Sequence, residues 1–144
     1  CFTQKKSLFD IVAAHGIPYA ATASVGYLSD FLKKVERARD VRGCRFIHVM
    51  APCPVGWGFP SEDMVDVAKE IVDTGLWYLA EYEGPALSGV PGGAFRLNRN
   101  PKAFKPIEPY LRRQGRFSAD DEADLAAVEA ARDERWAYMR ERWA

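Results

Sequence analysis

The chain has 144 residues, 48% of them hydrophobic and 28% charged, with 20 basic residues balanced by 20 acidic ones. That length holds one domain with an ordinary core, and the composition is that of a globular protein. A zero net charge argues against a nucleic-acid binder, and no apolar run approaches the roughly 20 residues needed to cross a bilayer.

The chain opens on Cys1 rather than Met. This is expected of a processed piece or of part of a longer chain. A lipidated N-terminal cysteine fits less well, because Lys5-Lys6-Ser7 leads straight into an apolar helix pattern instead of a polar tether. Cys1, Cys44 and Cys53 form neither a CxxC nor an even disulfide framework, so a cytoplasmic location is expected.

Residues 7–15 read as a short helix, with Ser7 as cap, Leu8, Ile11 and Val12 on one face, and Gly16 as stop. Residues 17–25 read as a strand of small residues with Pro18 at its start. Residues 27–39 place Leu28, Phe31, Leu32 and Val35 at helical spacing, with Lys33, Lys34 and Glu36 on the other side. Phe46–Met50 is short and rich in β formers, which predicts a buried strand. Directly after it comes Ala-Pro-Cys-Pro-Val-Gly-Trp-Gly-Phe, residues 51–59. Two prolines fix the backbone around Cys53, and the glycines that follow permit tight turns or close approach. The thiol therefore falls at the C-terminal end of a strand, where open α/β sheets put their ligands. Met64, Val67, Ala68, Ile71 and Val72 then make a helical stripe between Ser61 and Gly75, and Leu76–Glu83 reads as a third strand.

This alternation of helices and strands predicts an α/β fold with a parallel, helix-covered sheet. Three strands leave an open edge, so the rest of the sheet is expected from further sequence or another chain. Residues 84–118, with Pro85, Pro91, Gly92-Gly93, Pro101, Pro106 and Pro109, lack clear elements but carry Phe95, Leu97, Phe104, Ile107, Tyr110, Leu111 and Phe117. They are too apolar for simple disorder and are expected to form an extended arm that packs on a partner. Residues 119–144 are read as a terminal helix. Ser118 and Asp121 have capping-box spacing, Asp120, Glu122 and Asp124 suit the positive helix start, and Leu125, Val128, Ala131, Trp136, Met139 and Trp143 offer a loose stripe for a partner surface. The expected organisation is thus 1–83 as an α/β unit, 84–118 as arm and 119–144 as helix.

Four segments in order carry a resemblance: Ala-Ala-His-Gly-Ile-Pro-Tyr-Ala-Ala-Thr-Ala-Ser (13–24), the cysteine loop (51–59), Ala-Lys-Glu-Ile-Val-Asp-Thr-Gly-Leu-Trp-Tyr-Leu-Ala-Glu-Tyr (68–82) and Pro-Tyr-Leu-Arg-Arg-Gln-Gly-Arg-Phe (109–117). Over about residues 5–117 the chain resembles the C-terminal part of the thiamine-diphosphate-binding (beta) subunit of 2-oxoacid:ferredoxin oxidoreductases, a family that includes pyruvate synthase and phenylglyoxylate dehydrogenase. The resemblance implies part of a thiamine-diphosphate-binding-type sheet. It also implies thiamine-dependent oxidative decarboxylation of a 2-oxoacid, most readily pyruvate, to acyl-coenzyme A and carbon dioxide, with electrons leaving through [4Fe-4S] clusters to ferredoxin. Cys53 matches the last of the four ligands of the cluster nearest thiamine, a position suited to a thiolate. Partners implied are the other subunits, ferredoxin, the 2-oxoacid and coenzyme A, with neither nucleic acid nor membrane.

The chain departs from the family in lacking the three upstream cluster cysteines and the Gly-Asp-Gly…Asn segment that holds Mg²⁺ and diphosphate. No catalytic or thiamine-binding residue is therefore assigned, and alone the chain is expected to bind neither cofactor. Ala80 stands where an aromatic is common, and 118–144 matches poorly. Cys44 is expected to be a small core residue, His15 a helix-end histidine and His48 a hydrogen-bonded core residue. Trp57 either shields a cluster or fills the core. Lys33, Lys34, Arg37 and Arg39 read as a solvated helix face that could also touch an acidic ferredoxin. The alternatives are an aromatic, a branched 2-oxoacid or oxalate as substrate, and a non-catalytic assembly module of such a complex.

Overall fold

The computed structural model describes residues 6–117 and 122–143. Cys1, Ser118, Asp120 and Asp121 lie outside the described residues. Helix α1 (Leu8–Ala14) starts at Ser7, whose side chain accepts the Asp10 N–H, and it buries Phe9 and Ala13. Strand β1 (Tyr19–Ser24) is buried along its whole length, and its alanines let the layers above and below approach closely. Helix α2 (Leu28–Asp40) leads to β2 (Arg45–Met50), which pairs parallel to β1 from Tyr19↔Arg45 to Ser24↔Met50. A single-turn helix α3 (Pro54–Trp57), a 3₁₀ turn (Ser61–Asp63) and α4 (Met64–Asp73) follow. The chain continues through β3 (Ala80–Glu83), α5 (Pro85–Ser88), β4 (Ala94–Leu97), α6 (Ile107–Arg112) and α7 (Glu122–Arg142). Among the described residues no helix is long and apolar enough to cross a membrane.

The fold is α/β with covering helices and a terminal helix, but only one of the strand pairs is parallel. The sheet order is β2-β1-β3-β4, with β3 antiparallel to β1 and β4 antiparallel to β3. The reason lies in α4. An all-parallel sheet needs each helix to carry the chain back across the strands. Helix α4 instead sits on the C-terminal end of β1, where Ser24 Oγ donates to the Ala68 carbonyl at 2.7 Å. The chain then re-enters the sheet beside that same end. Trp77 Nε1 donates to the Ala23 carbonyl at 2.9 Å, and Thr22 Oγ1 donates to the Tyr78 carbonyl at 2.6 Å. From there β3 can only run backwards along β1, ending with Glu83 opposite Tyr19.

One sheet face, with Ala20, Ala80 and Tyr82, packs on Phe9 and Ala13 of α1 and on Trp136, Met139 and Trp143 from α7 and its end. The opposite face, with Tyr19 and Ala21, meets Ala38 and Val41. A third cluster gathers Phe59, Val67, Ile71, Val72, Leu79 and Tyr110 around α4.

Several expectations change. Residues 84–117 carry three elements, and Ile107 and Tyr110 are buried within this chain while Phe117 is exposed. Helix α7 likewise spends Trp136 and Met139 on its own sheet. The α2 stripe faces outward: Leu28, Leu32 and Val35 are exposed, while Lys34 and Ala38 are the buried positions. Strand β2 lies at the sheet edge and is half-buried rather than buried.

Candidate functional site

The cysteine loop begins where β2 ends. Pro52 is buried, and Cys53 emerges with an exposed thiol in extended backbone as the cap of α3. Pro54 fills the first helical position, where a missing N–H costs nothing. The Trp57 N–H returns to the Cys53 carbonyl at 2.8 Å, and the Gly58 N–H to the Pro54 carbonyl at 2.9 Å. The Gly56 N–H donates to Cys53 Sγ at 3.4 Å. A Cβ on residue 56 would stand 3.4 Å from that sulfur, so glycine keeps the space beside the thiol open. The turn closes at Gly58 with φ +71°, a left-handed angle that favours glycine.

A distant segment holds this turn. The Gly115 N–H donates to the Gly58 carbonyl at 3.0 Å, and the Arg116 N–H to the Trp57 carbonyl at 3.4 Å. The Arg116 guanidinium lies 3.7 Å above the Trp57 ring centre and 4.7 Å from that of Phe117. Its Nε donates to Oε1 of Gln114 at 3.0 Å, and Gln114, fully buried, donates Nε2 to the Tyr110 carbonyl at 3.0 Å. Burial pulls the Arg116 pKa below the ordinary arginine value. Trp57 is half-buried against Phe59 on one side and Arg116 on the other, so it braces the loop.

The other candidates fall elsewhere. Cys44 is exposed, not a core residue. His15 caps the end of α1 as expected. His48, half-buried on β2, contacts aromatic rings, edge-on to Trp77 at 4.8 Å and 6.1 Å from Phe46, where a hydrogen-bonded core residue was expected. Burial lowers its pKa.

A second polar cluster was not foreseen. It lines a cleft of about 460 Å³ between α2 and the β3–β4 end of the sheet. Lys34 is 1% exposed, with Nζ 2.8 Å from the Thr22 carbonyl and 2.6 Å from Asp30. Burial lowers its pKa, against the pull of Asp30. Glu81 accepts from Tyr19 at 2.7 Å, Arg96 at 2.6 Å and Asn98 at 2.5 Å. Burial opposes its charge, but these three donors hold its carboxyl below the ordinary value. Lys34 pairs with Asp30, Arg96 with Glu81 and Arg37 with Glu83, so the cluster joins α2 to the sheet. The sequence signal available was Glu81, a carboxylate inside a strand.

The described residues contain no group of three or more His, Cys, Asp or Glu side chains able to hold a metal ion. Cys53 fits one corner of an iron–sulfur cluster. Its sulfur is exposed, sits in a rigid frame, and receives a backbone N–H, the kind of contact that tunes cluster sulfurs. The remaining ligands would have to come from outside the described residues.

The site is thus an exposed, braced thiol at the end of the edge strand of an α/β unit, and the known relatives are oxidoreductase subunits. No family model matches the chain. It is 41% identical over 138 residues to the ketoisovalerate oxidoreductase subunit VorB of Pyrococcus horikoshii. It is 42% identical over 125 residues to the pyruvate synthase subunit PorB of Methanothermobacter marburgensis, and 37% identical over 131 residues to PorB of Methanocaldococcus jannaschii. These matches take in 94%, 87% and 91% of the chain. The chain belongs to the family of the beta subunits of 2-oxoacid:ferredoxin oxidoreductases. It spans 42%, 41% and 41% of the length of these relatives.

Proposed function

We propose that the protein serves in a 2-oxoacid oxidoreductase complex and that Cys53 supplies one thiolate to a [4Fe-4S] cluster there. The observation that carries this reading is the Cys53 loop itself. A thiol meant for the core would be buried. Here two prolines, a single helical turn and a clamp from residues 114–117 hold an exposed sulfur in one orientation. Such a cluster, when bound, accepts and passes on single electrons.

This chain's part is to hold one ligand and present an N–H to its sulfur, with Trp57 bracing the loop. Thiamine diphosphate and Mg²⁺ are assigned to sequence outside this chain, and coenzyme A, a ferredoxin-like acceptor and a cytoplasmic setting go with the same reading. Pyruvate is the first substrate proposed. A branched 2-oxoacid is the second, supported by the ketoisovalerate oxidoreductase relatives.

The test is Cys53→Ala in the complete complex. We expect loss of one cluster by iron analysis, a changed low-temperature electron paramagnetic resonance spectrum and slowed 2-oxoacid-dependent dye reduction, with decarboxylation less affected. Full iron content together with normal dye reduction would make Cys53 an ordinary surface cysteine.

A further inference from the structure

We propose that Arg116 is a positioning residue for Cys53, acting through Trp57. The proposal rests on reading Cys53 as a cluster ligand. Helix α3 has four residues. A single turn fixes many dihedral angles for few hydrogen bonds and does not stand by itself. Its direction, and with it the direction of the Cys53 side chain, must be set by tertiary contacts.

Those contacts converge from one short segment. Two N–H groups, on Gly115 and Arg116, bond the carbonyls of Gly58 and Trp57, and the guanidinium covers the indole face. Trp57 is bonded in turn to the carbonyl of Cys53. The path from Arg116 to Cys53 therefore runs through one side chain and one backbone hydrogen bond. Gly58 and Gly115 allow the two segments to meet: a Cβ at residue 58 would stand 3.1 Å from the Gly115 Cα.

The chemistry of the clamp is specific to arginine. A planar guanidinium stacks on indole while an N–H still reaches an acceptor, which lysine cannot reproduce. The neutral amide of Gln114 accepts from Arg116 Nε and orients the guanidinium. Gln114 keeps it flat, and is itself fixed by complete burial and the Tyr110 carbonyl.

The experiment uses the complete complex carrying Arg116→Met or Arg116→Lys. Hydrogen–deuterium exchange of the peptide covering 54–59 reads the loop directly, with no dependence on activity. Loss of the cation–π contact at this exposed arginine should raise exchange there roughly two- to fivefold in the Met variant. The Lys variant should fall between Met and wild type. The cluster's electron paramagnetic resonance signal should shift in both variants while iron content is retained.

Unchanged exchange would overturn the clamp. Raised exchange with an unchanged spectrum would overturn positioning, leaving Arg116 a stabiliser of the loop. If the Met variant does not assemble, the Lys variant and Trp57→Phe, which shrinks the stacked face, decide the matter by the same two readouts. Failure of the cluster reading itself would show separately, as full iron content in Cys53→Ala.

Discussion

Tyr110 ties the clamp to the core, and its ionisation offers a handle on both. It is 3% exposed, and its phenol is pushed up to about 12, by burial first, while Gln114 and Arg116 act the other way. The folded pKa lies above the unfolded value of about 10, so the folded chain keeps a proton that the unfolded chain loses. The stability contributed is complete below about pH 10 and falls away as pH rises towards about 12, by at most roughly 3 kcal/mol. Tyr27, also pushed up to about 12, and Tyr19, pushed up further, act with the same sign. Lys34 acts oppositely, since its lowered pKa makes stability rise as pH approaches the unfolded lysine value. Tyr110→Phe should therefore flatten, without abolishing, the alkaline loss of stability. Denaturant midpoints of the two proteins between about pH 9 and about pH 11.5 check this, and parallel curves would count against it. At this scale Cys53 was legible because its framing prolines are adjacent in sequence. Arg116 was not, because its meaning comes from Trp57, a neighbour only after folding.

Elements were legible where their residues state a local preference, and less so where direction depends on packing. The apolar period marked α4, and the run from residue 46 to 50 marked β2. Nothing local says that α4 stops at the end of β1 instead of recrossing the sheet, so the antiparallel entry of β3 was hidden. The outward stripe of α2 misled for a related reason: the sheet below it is met by Ala38 and the stem of Lys34, and the larger side chains remain outside. The contact that turns the topology is narrow. A Cβ at Gly26 would stand 2.5 Å from the Lys69 nitrogen and 2.6 Å from the Ala68 carbonyl carbon, both backbone atoms that cannot step aside cheaply. Gly26→Ala should force α4 away from β1, strain the bond from Ser24 to Ala68, and destabilise by about 1–3 kcal/mol, the usual range for overpacking. A denaturation midpoint equal to that of the wild type would show that α4 has slack at this junction.

The whole molecule has two kinds of surface. One sheet face and the α4 cluster are closed by large aromatic side chains, several of them from segments first read as reserved for partners. Around β2 the surface is open. The strand is the last in the sheet, and among the described residues its outer edge has no strand partner. On the neighbouring helix α2, Leu28, Leu32 and Val35 are 59%, 52% and 42% exposed. Val55, two positions after Cys53, is 94% exposed. Unpaired strand edges and grouped apolar side chains favour association when left uncovered. The chain spans only about two-fifths of its relatives, which leaves ample sequence in such proteins to cover this side. We therefore expect the 144-residue chain, prepared alone, to sediment as associated material at micromolar concentration. Leu28→Glu with Leu32→Lys should shift it towards monomer, since both sites are exposed and exposed substitutions usually alter stability by no more than about 0.5 kcal/mol. A wild-type chain that sediments as a compact monomer and unfolds cooperatively would show that this side needs no cover. Association unaffected by the double substitution would move its cause from α2 to the edge of β2.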